Sequence, residues 1–237
     1  MYEKLKKIIK ESNNIVFFGG AGVSTESNIP DFRSAKGLYA HSPEYLLSRT
    51  YFESNTEDFY KFYKENLIFK DAQPNDAHYA LAKLEKMGKL KAVITQNIDG
   101  LHQKAGSRKV YELHGSVIRN YCMDCREYHD LDYITGFNEA VPRCRKCGGI
   151  VKPDVTLYEE MLDMEVFNGA IECISKADVL IVGGTSLIVY PAASLVDFYK
   201  GNKLILINKG ATSYDSKASM VIDARIGEVL KEATREL

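Results

Sequence analysis

The chain contains no run of about 18 consecutive apolar residues, so no segment reads as a transmembrane helix. It also lacks a charge excess. Its 31 basic and 32 acidic side chains leave a formal charge of −1, which argues against a surface built for nucleic acid or an anionic membrane. The opening MYEKLKKIIKES has neither the apolar core nor the cleavage site of a signal peptide, and reads as an amphipathic helix with Leu5, Ile8 and Ile9 on one face. A cytoplasmic location is the expectation. No internal repeat or low-complexity segment is present. Several catalytic signatures are missing too: there is no Ser/His/Asp order, no nucleophile elbow and no Walker lysine. The acidic residue expected at the end of the second strand of a dinucleotide fold has no clear candidate, which leaves hydride transfer poorly supported. Five cysteines, an odd number, do not suit a disulfide framework.

Apolar runs recur at 15–18 (IVFF), 92–94 (AVI), 179–182 (VLIV), 204–207 (LILI) and 220–222 (MVI), with a less apolar one at 110–113 (VYEL). Most are separated by helix-patterned segments. This order predicts an α/β fold, a Rossmann-like mainly parallel sheet with helices on both faces. The runs end in GGAG, TQNID, HGS, GGTS and NKG. In an open parallel sheet the carboxyl ends of the strands share one edge, where ligands bind, so these polar tips should converge. The first tip opens the stretch FFGGAGVSTESNIPDFR. There Gly20, Ala21 and Gly22 follow a strand, and the unpaired N–H groups of a succeeding helix would suit a phosphate. The third fingerprint glycine is absent, with Thr25 in its place, so a glycine-rich turn without a ligand stays open. Pro30-Asp31-Phe32-Arg33 then sets a rigid turn, a carboxylate, an aromatic ring and a guanidinium in succession, as a loop closing over a nucleotide would.

Two stretches fall outside the sheet pattern. Residues 34–75 carry aromatic and leucine positions at spacings of short helices, a stripe more often core than cofactor site. Residues 118–155 are rich in Cys, Arg and Gly and cannot build a core of their own. Within them Cys122-x-x-Cys125 and Cys144-x-x-Cys147 have the spacing of a four-cysteine zinc site, and four thiolates leave no open position, so the zinc is structural. Cys173 lies in a helical pattern and reads as a small buried apolar residue. His114, at the tip of VYELHGS, has an ordinary pKa of about 6.5 that suits a general base. Gln96, Asn97, Ile98 and Asp99 form a neighbouring tip, where Asn97 or Asp99 can also cap a helix. Asn208, ending KLILIN, suits ribose hydroxyls.

Taken together, GAGVSTESNIPDFR, TQNIDGLH, ELHGS, the paired Cys-x-x-Cys motifs, GGTSL and LIN resemble the sirtuin family of NAD-dependent protein deacylases. The resemblance spans about 13–225 in the family's order. It implies a Rossmann-like NAD-binding domain (1–33, 76–117 and 156–237) and a small domain made of a helical insertion (34–75) and a zinc-ribbon insertion (118–155). It implies NAD as co-substrate, contacted by Gly20, Ala21, Gly22, Thr25, Asp31, Phe32 and Arg33. Gln96 and Asn208 would hold the riboses, and Ile98 and Asp99 the nicotinamide. Thr185, Ser186, Asp223 and Ala224 would face the adenosine. His114 matches the catalytic base, with Asn97 beside it. The acyl-lysine oxygen would attack the ribose as nicotinamide leaves, and the products would be free lysine, nicotinamide and O-acyl-ADP-ribose. Acetyl-lysine proteins or peptides would bind as an extended strand between Val155-Thr156-Leu157-Tyr158 and Leu187-Ile188-Val189 with Tyr190.

Two departures stand out. The family's usual Phe-Gly-Glu reads Tyr158-Glu159-Glu160. Relatives preferring acidic acyl groups carry Tyr-x-x-Arg where this chain has Tyr60 and Tyr63, so neutral acyl groups, acetyl foremost, are expected. An ADP-ribosyltransferase or NAD hydrolase using the same pocket, a nicotinamide oxidoreductase, and a non-catalytic NAD- and zinc-containing binding module are the competing readings. No direct nucleic-acid or membrane contact is expected, and nothing in the sequence sets an oligomeric state.

Overall fold

The computed structural model describes residues 2–237. In chain order the elements are α1 (Tyr2–Glu11), β1 (Ile15–Gly19), α2 (Arg49–Ser54), α3 (Thr56–Asn66), α4 (Asp76–Lys86), β2 (Leu90–Thr95), α5 (Leu101–Lys104) and β3 (Val110–Glu112). There follow β4 (Gly115–Cys122), β5 (Tyr128–Asp130), α6 (Leu131–Gly136), β6 (Val151–Val155), α7 (Met164–Lys176), β7 (Val179–Gly183), β8 (Leu204–Ile207), β9 (Met220–Ile222) and α8 (Ile226–Thr234).

Six strands form one sheet in the order β3-β2-β1-β7-β8-β9, and every pairing is parallel. Counted within that sheet alone the order is 3-2-1-4-5-6, the doubly wound arrangement, and the winding reverses between β1 and β7. The central apolar runs became β1, β2, β7 and β8 because they are buried on both faces apart from Lys91, whereas the edge strand β3 is only half-buried and β9 exposes Val221. Ile15, Phe17, Val93, Ile181 and Ile205 pack under α1, α4 and α8 on one side. Val16, Phe18, Ile94, Leu180 and Leu206 face α7 and the 192–198 turn on the other. Burying each such side chain stabilises the fold by about 1.5–3 kcal/mol before chain entropy is charged. Leu5 and Ile9 seal α1 onto this core, with Ile8 at its edge.

A second sheet of three antiparallel strands, β5-β4-β6, occupies the Cys-rich stretch. These strands carry too few aliphatic residues to announce themselves. Their apolar residues share one cluster with the helical stretch: Val117, Ile134 and Val151 meet Leu47, Phe52, Phe59, Tyr60, Tyr63 and Leu67. The aromatic stripe is core, as its spacing suggests. Cys173 is half-buried rather than buried, with its thiol 3.7 Å from the Tyr111 hydroxyl.

Two histidines are sealed under the sheet. His78 accepts the Asn75 N–H at the start of α4 (3.2 Å), and its ring lies 4.7 Å from that of His102. Burial pushes His78 down to about 4 and His102 well below its ordinary value. Both are therefore neutral in the fold, and unfolding lets them take up protons below their unfolded value of about 6.5. Their contribution is intact above about pH 6.5 and is lost as pH falls toward 4. Thermal unfolding followed across that window should show a falling Tm, with a smaller fall in His78→Gln; a flat Tm would contradict this assignment.

Candidate nucleotide and substrate cleft

Where β1 ends, the Gly20 N–H bonds to the Gly183 carbonyl (3.4 Å) and the Gly22 N–H to the Gly184 carbonyl (2.8 Å). A Cβ on Gly22 would lie 2.8 Å from the Gly184 Cα, and one on Gly20 2.9 Å from the Thr185 Cβ. These glycines thus let the tips of β1 and β7 touch through their backbones. No α-helix follows: two three-residue 3-10 turns, Ala21–Val23 and Thr25–Ser27, take its place. The expected helix terminus is therefore absent, and the N–H groups of both glycines are already spent on carbonyls.

Beside this junction opens a cleft of about 540 Å³. It brings together Gly20, Ala21, Gly22, Thr25, Asp31, Phe32, Arg33, Gln96, Asn97, Ile98, Asp99, His114, Val155, Thr156, Leu157, Tyr158, Thr185, Ser186, Val189, Asn208 and Ala224, residues far apart in sequence. Asp223, Leu187 and Ile188 do not line it: Leu187 is buried in the core beneath, and Ile188 is exposed. Sequence reading passed over Ser24, Glu26, Tyr39, Lys209 and Arg225, which do line it. Tyr60 and Tyr63, at the positions matching Tyr-x-x-Arg, do not line it. Both are fully buried in the cluster shared by the helical and Cys-rich stretches, with the Tyr60 hydroxyl bonded to the Val151 carbonyl, and Asn66, Leu67 and Phe69 reach the cleft.

His114 follows β3, and its Nδ1 lies 3.0 Å from the Gln96 carbonyl oxygen. A carbonyl can only accept, so Nδ1 carries the proton and Nε2 keeps its lone pair. Burial lowers the His114 pKa, and the Gln96 bond opposes this in part, so the ring is neutral and basic at pH 7. The backbone is pinned on both sides. The Thr156 N–H bonds to the His114 carbonyl (3.0 Å), and Arg119 joins Glu112 (2.7 Å) to Asp154 (2.8 Å) across the loop.

The TQNID tip is held by Ser24, whose hydroxyl donates to Asp99 (2.6 Å) and accepts from the Asn97 amide (3.0 Å). Asp99 also accepts the Leu101 N–H (2.9 Å) at the start of α5 while reaching the cleft, although the N-cap position itself is Gly100. Burial raises its pKa, against the pull of those two donors. The Gln96 amide reaches the Thr185 hydroxyl (3.0 Å), linking the tips of β2 and β7.

At the far wall, Tyr158 bonds through its backbone to Leu47 and Arg49 (both 3.0 Å). Its hydroxyl lies 3.1 Å from Arg33 Nη2 and 3.1 Å from the Tyr39 hydroxyl. Glu159 takes the left-handed conformation (φ 75°) that favours glycine, and its carboxylate accepts the Thr50 N–H (2.9 Å) and hydroxyl (2.7 Å). Those bonds offset a backbone cost of about 1–2 kcal/mol. Glu160 bonds Arg49, Lys152 and the Leu157 N–H.

Away from the cleft, the sulfurs of Cys122, Cys125, Cys144 and Cys147 lie within 4.8 Å of one another, and three pairs are 3.4–3.7 Å apart. Thiolates at about 2.3 Å from a tetrahedral ion sit about 3.8 Å apart, so the set fits one metal ion. Gly149 packs against the Asp124 carboxylate and the Cys122 sulfur, so a side chain there would have to displace Asp124 and press on the sulfur. The Cys125 N–H favours the Cys122 thiolate, lowering that thiol to about 7.

Sheet order, the glycine contact at the reversal and the cleft beside it define a Rossmann-type α/β protein with a ligand crevice at its switch point. A model of the Sir2 family matches residues 20–191. An NAD-dependent protein deacetylase of Clostridium acetobutylicum is 63% identical over 234 residues, 96% of each chain. The solved complex of Sir2 with p53 peptide and NAD+ superposes with a TM-score of 0.90 at 39% identity, covering 100% of this chain and 98% of that one. A Sir2 variant with deacetylated p53 peptide and 3′-O-acetyl ADP ribose gives 0.92 at 39% identity, covering 99% and 97%. The chain belongs to the Sir2 family.

Gly115, directly after His114, has φ 74°, and any Cβ there would collide with the Asp154 carbonyl. Gly115→Ala should therefore cost at least about 2 kcal/mol in denaturant unfolding. A loss under about 0.5 kcal/mol would show that the loop relaxes freely.

Proposed function

We infer that the chain is an NAD-dependent protein lysine deacetylase that releases nicotinamide and O-acetyl-ADP-ribose. The observation that carries this reading is the neutral His114, held by the Gln96 carbonyl with Nε2 free, in the same cleft as the glycine junction and the 155–158 segment. The relatives' names and complexes support it. NAD, bound along the cleft, supplies the electrophilic ribose carbon. Gly20, Ala21, Gly22, Thr25, Asp31, Phe32 and Arg33 contact it on one side. Gln96 and Asn208 face its riboses, Ile98 and Asp99 its nicotinamide, and Thr185, Ser186 and Ala224 its adenosine. Asn97, tethered to Ser24, orders the base's surroundings, and His114 accepts a proton from a ribose hydroxyl.

The acetyl-lysine peptide lies as an added strand between 155–158 and 187–190, where backbone bonds give affinity with modest sequence selectivity. The cationic side chains lining the cleft are Arg33, Lys209 and Arg225, and Arg33 is already bonded to Glu44 and Tyr158. Tyr63 stands where relatives preferring acidic acyl groups carry arginine, so neutral acyl groups are preferred. The four cysteines hold a structural zinc outside this chemistry. The domain division expected from sequence (1–33, 76–117 and 156–237 against 34–75 and 118–155) belongs to the same proposal, as does a cytoplasmic location. No helix among the described residues is long and apolar enough to cross a membrane.

Two outcomes are expected. Acetyl-lysine peptide should lose its acetyl group only with NAD present, and His114→Ala should lower kcat by at least about 100-fold. Because burial depresses His114, the acid limb of the kcat/KM profile should fall below the ordinary histidine range; an undiminished His114→Ala enzyme would sink the assignment. Metal analysis should find one zinc per chain, and its chelation should lower the Tm; a folded chain without metal would remove the zinc claim.

A further inference from the structure

The two residues that replace the family's usual Phe-Gly each make a polar contact that Phe or Gly could not. The Tyr158 hydroxyl reaches Arg33 and Tyr39 on the loop after the glycine junction, and the Glu159 carboxylate reaches Thr50 at the start of α2. That loop is closed on itself. The Leu38 N–H bonds to the Asp31 carbonyl (2.8 Å), the Tyr39 N–H to the Phe32 carbonyl (2.9 Å), and the Asp31 carboxylate takes the N–H groups of Arg33 (3.0 Å) and Ser34 (2.8 Å). Arg33 also lies over the Tyr39 ring, 5.3 Å from its centroid. So built, residues 31–39 move as a unit, and a bond at Arg33 restrains them all.

We propose that Tyr158 is a positioning residue, its hydroxyl tying the 31–39 loop to the substrate segment so that Arg33 is held at the cleft before NAD arrives. Glu159 completes the device. Its bonds to Thr50, with the backbone bonds of Tyr158 to Leu47 and Arg49, anchor the segment to the helical stretch. The tether has a firm base on one side and a charged donor on the other, and bonds from ionised donors are the stronger kind. One consequence is coupling. A peptide strand laid along 155–158 steadies Tyr158, and through it the loop that faces the nucleotide. Phenylalanine at 158 would leave Arg33 with Glu44, an exposed ion pair of little worth, and the face of the Tyr39 ring, neither of which joins it to the substrate segment. The proposal rests on the NAD-dependent reading of this cleft.

Tyr158→Phe removes one oxygen and leaves the ring. In steady-state deacetylation of an acetyl-lysine peptide, the KM for NAD should rise about fivefold, with a smaller change in kcat. Hydrogen exchange of the ligand-free protein should be faster across 31–42 than in the wild type. Adding Tyr39→Phe should change little further, because both hydroxyls serve one bond network. An unchanged KM for NAD together with unchanged exchange across 31–42 would overturn the proposal. A wild-type chain without deacetylase activity would defeat the functional reading, and the exchange comparison would still decide the tether.

Discussion

The structure depends on one close backbone contact, that between the glycine turn after β1 and the glycine turn after β7. Gly22 donates to the Gly184 carbonyl at 2.8 Å, and Gly184 itself needs φ 60°. Because the winding of the sheet reverses between these two strands, the chain leaves their tips in opposite directions and a crevice must open there. Side chains at Gly20 or Gly22 would wedge the tips apart. The Gln96 amide on Thr185 then draws the tip of β2 into the same edge, and the Gln96 carbonyl orients His114. One steric constraint thus leads, through a short series of bonds, to the tautomer of the base.

The second body of the chain is an exercise in shared burial. Neither the helical stretch nor the Cys-rich stretch has enough apolar surface to fold alone, and Phe52, Phe59, Tyr60 and Tyr63 meet Val117, Ile134 and Val151 in one cluster. Cys122 and Cys144 are buried members of that cluster, Cys125 packs against it and Cys147 is exposed. A metal ion there would close two knuckles that hydrogen bonds alone hold weakly. Arg119, spanning Glu112 and Asp154, and Thr156, bonded to the His114 carbonyl, connect that body to the large sheet beside His114.

The large sheet was legible because its central strands, buried on both faces, write continuous apolar runs, and the shorter edge strands β3 and β9 also came through close to their expected limits. The three-stranded sheet was not, since β4 mixes Arg119, Asn120 and Tyr121 with few aliphatics, β5 is three residues long, and the pairing of β4 with β6 is long-range. The convergence of the tips followed from topology. What failed was local: a glycine-rich turn after a strand suggests a helix terminus, yet Asn28 with φ 63° and the 3-10 turns show a chain that never settles into α-helix there. Ser24 went unread because a serine in a glycine-rich loop has no periodicity, and only the fold shows it between Asn97 and Asp99. Tyr63, in the stripe whose spacing reads as core, and Tyr60 beside it are held in that core by the Phe59 ring, which packs against both. The left-handed Glu159 could not be read at all, because its compensation comes from Thr50, far away in sequence.

On the deacetylase reading, the breaking of NAD and the transfer of the acetyl group are consecutive steps coupled one to one in a single cleft. This central claim is tested most directly by counting nicotinamide and deacetylated peptide in the same reaction, with purified protein, acetyl-lysine peptide and NAD. The account predicts equal amounts at every time point, and no nicotinamide when the peptide is unacetylated. Nicotinamide released in excess of deacetylated peptide, or peptide deacetylated without it, would contradict that claim.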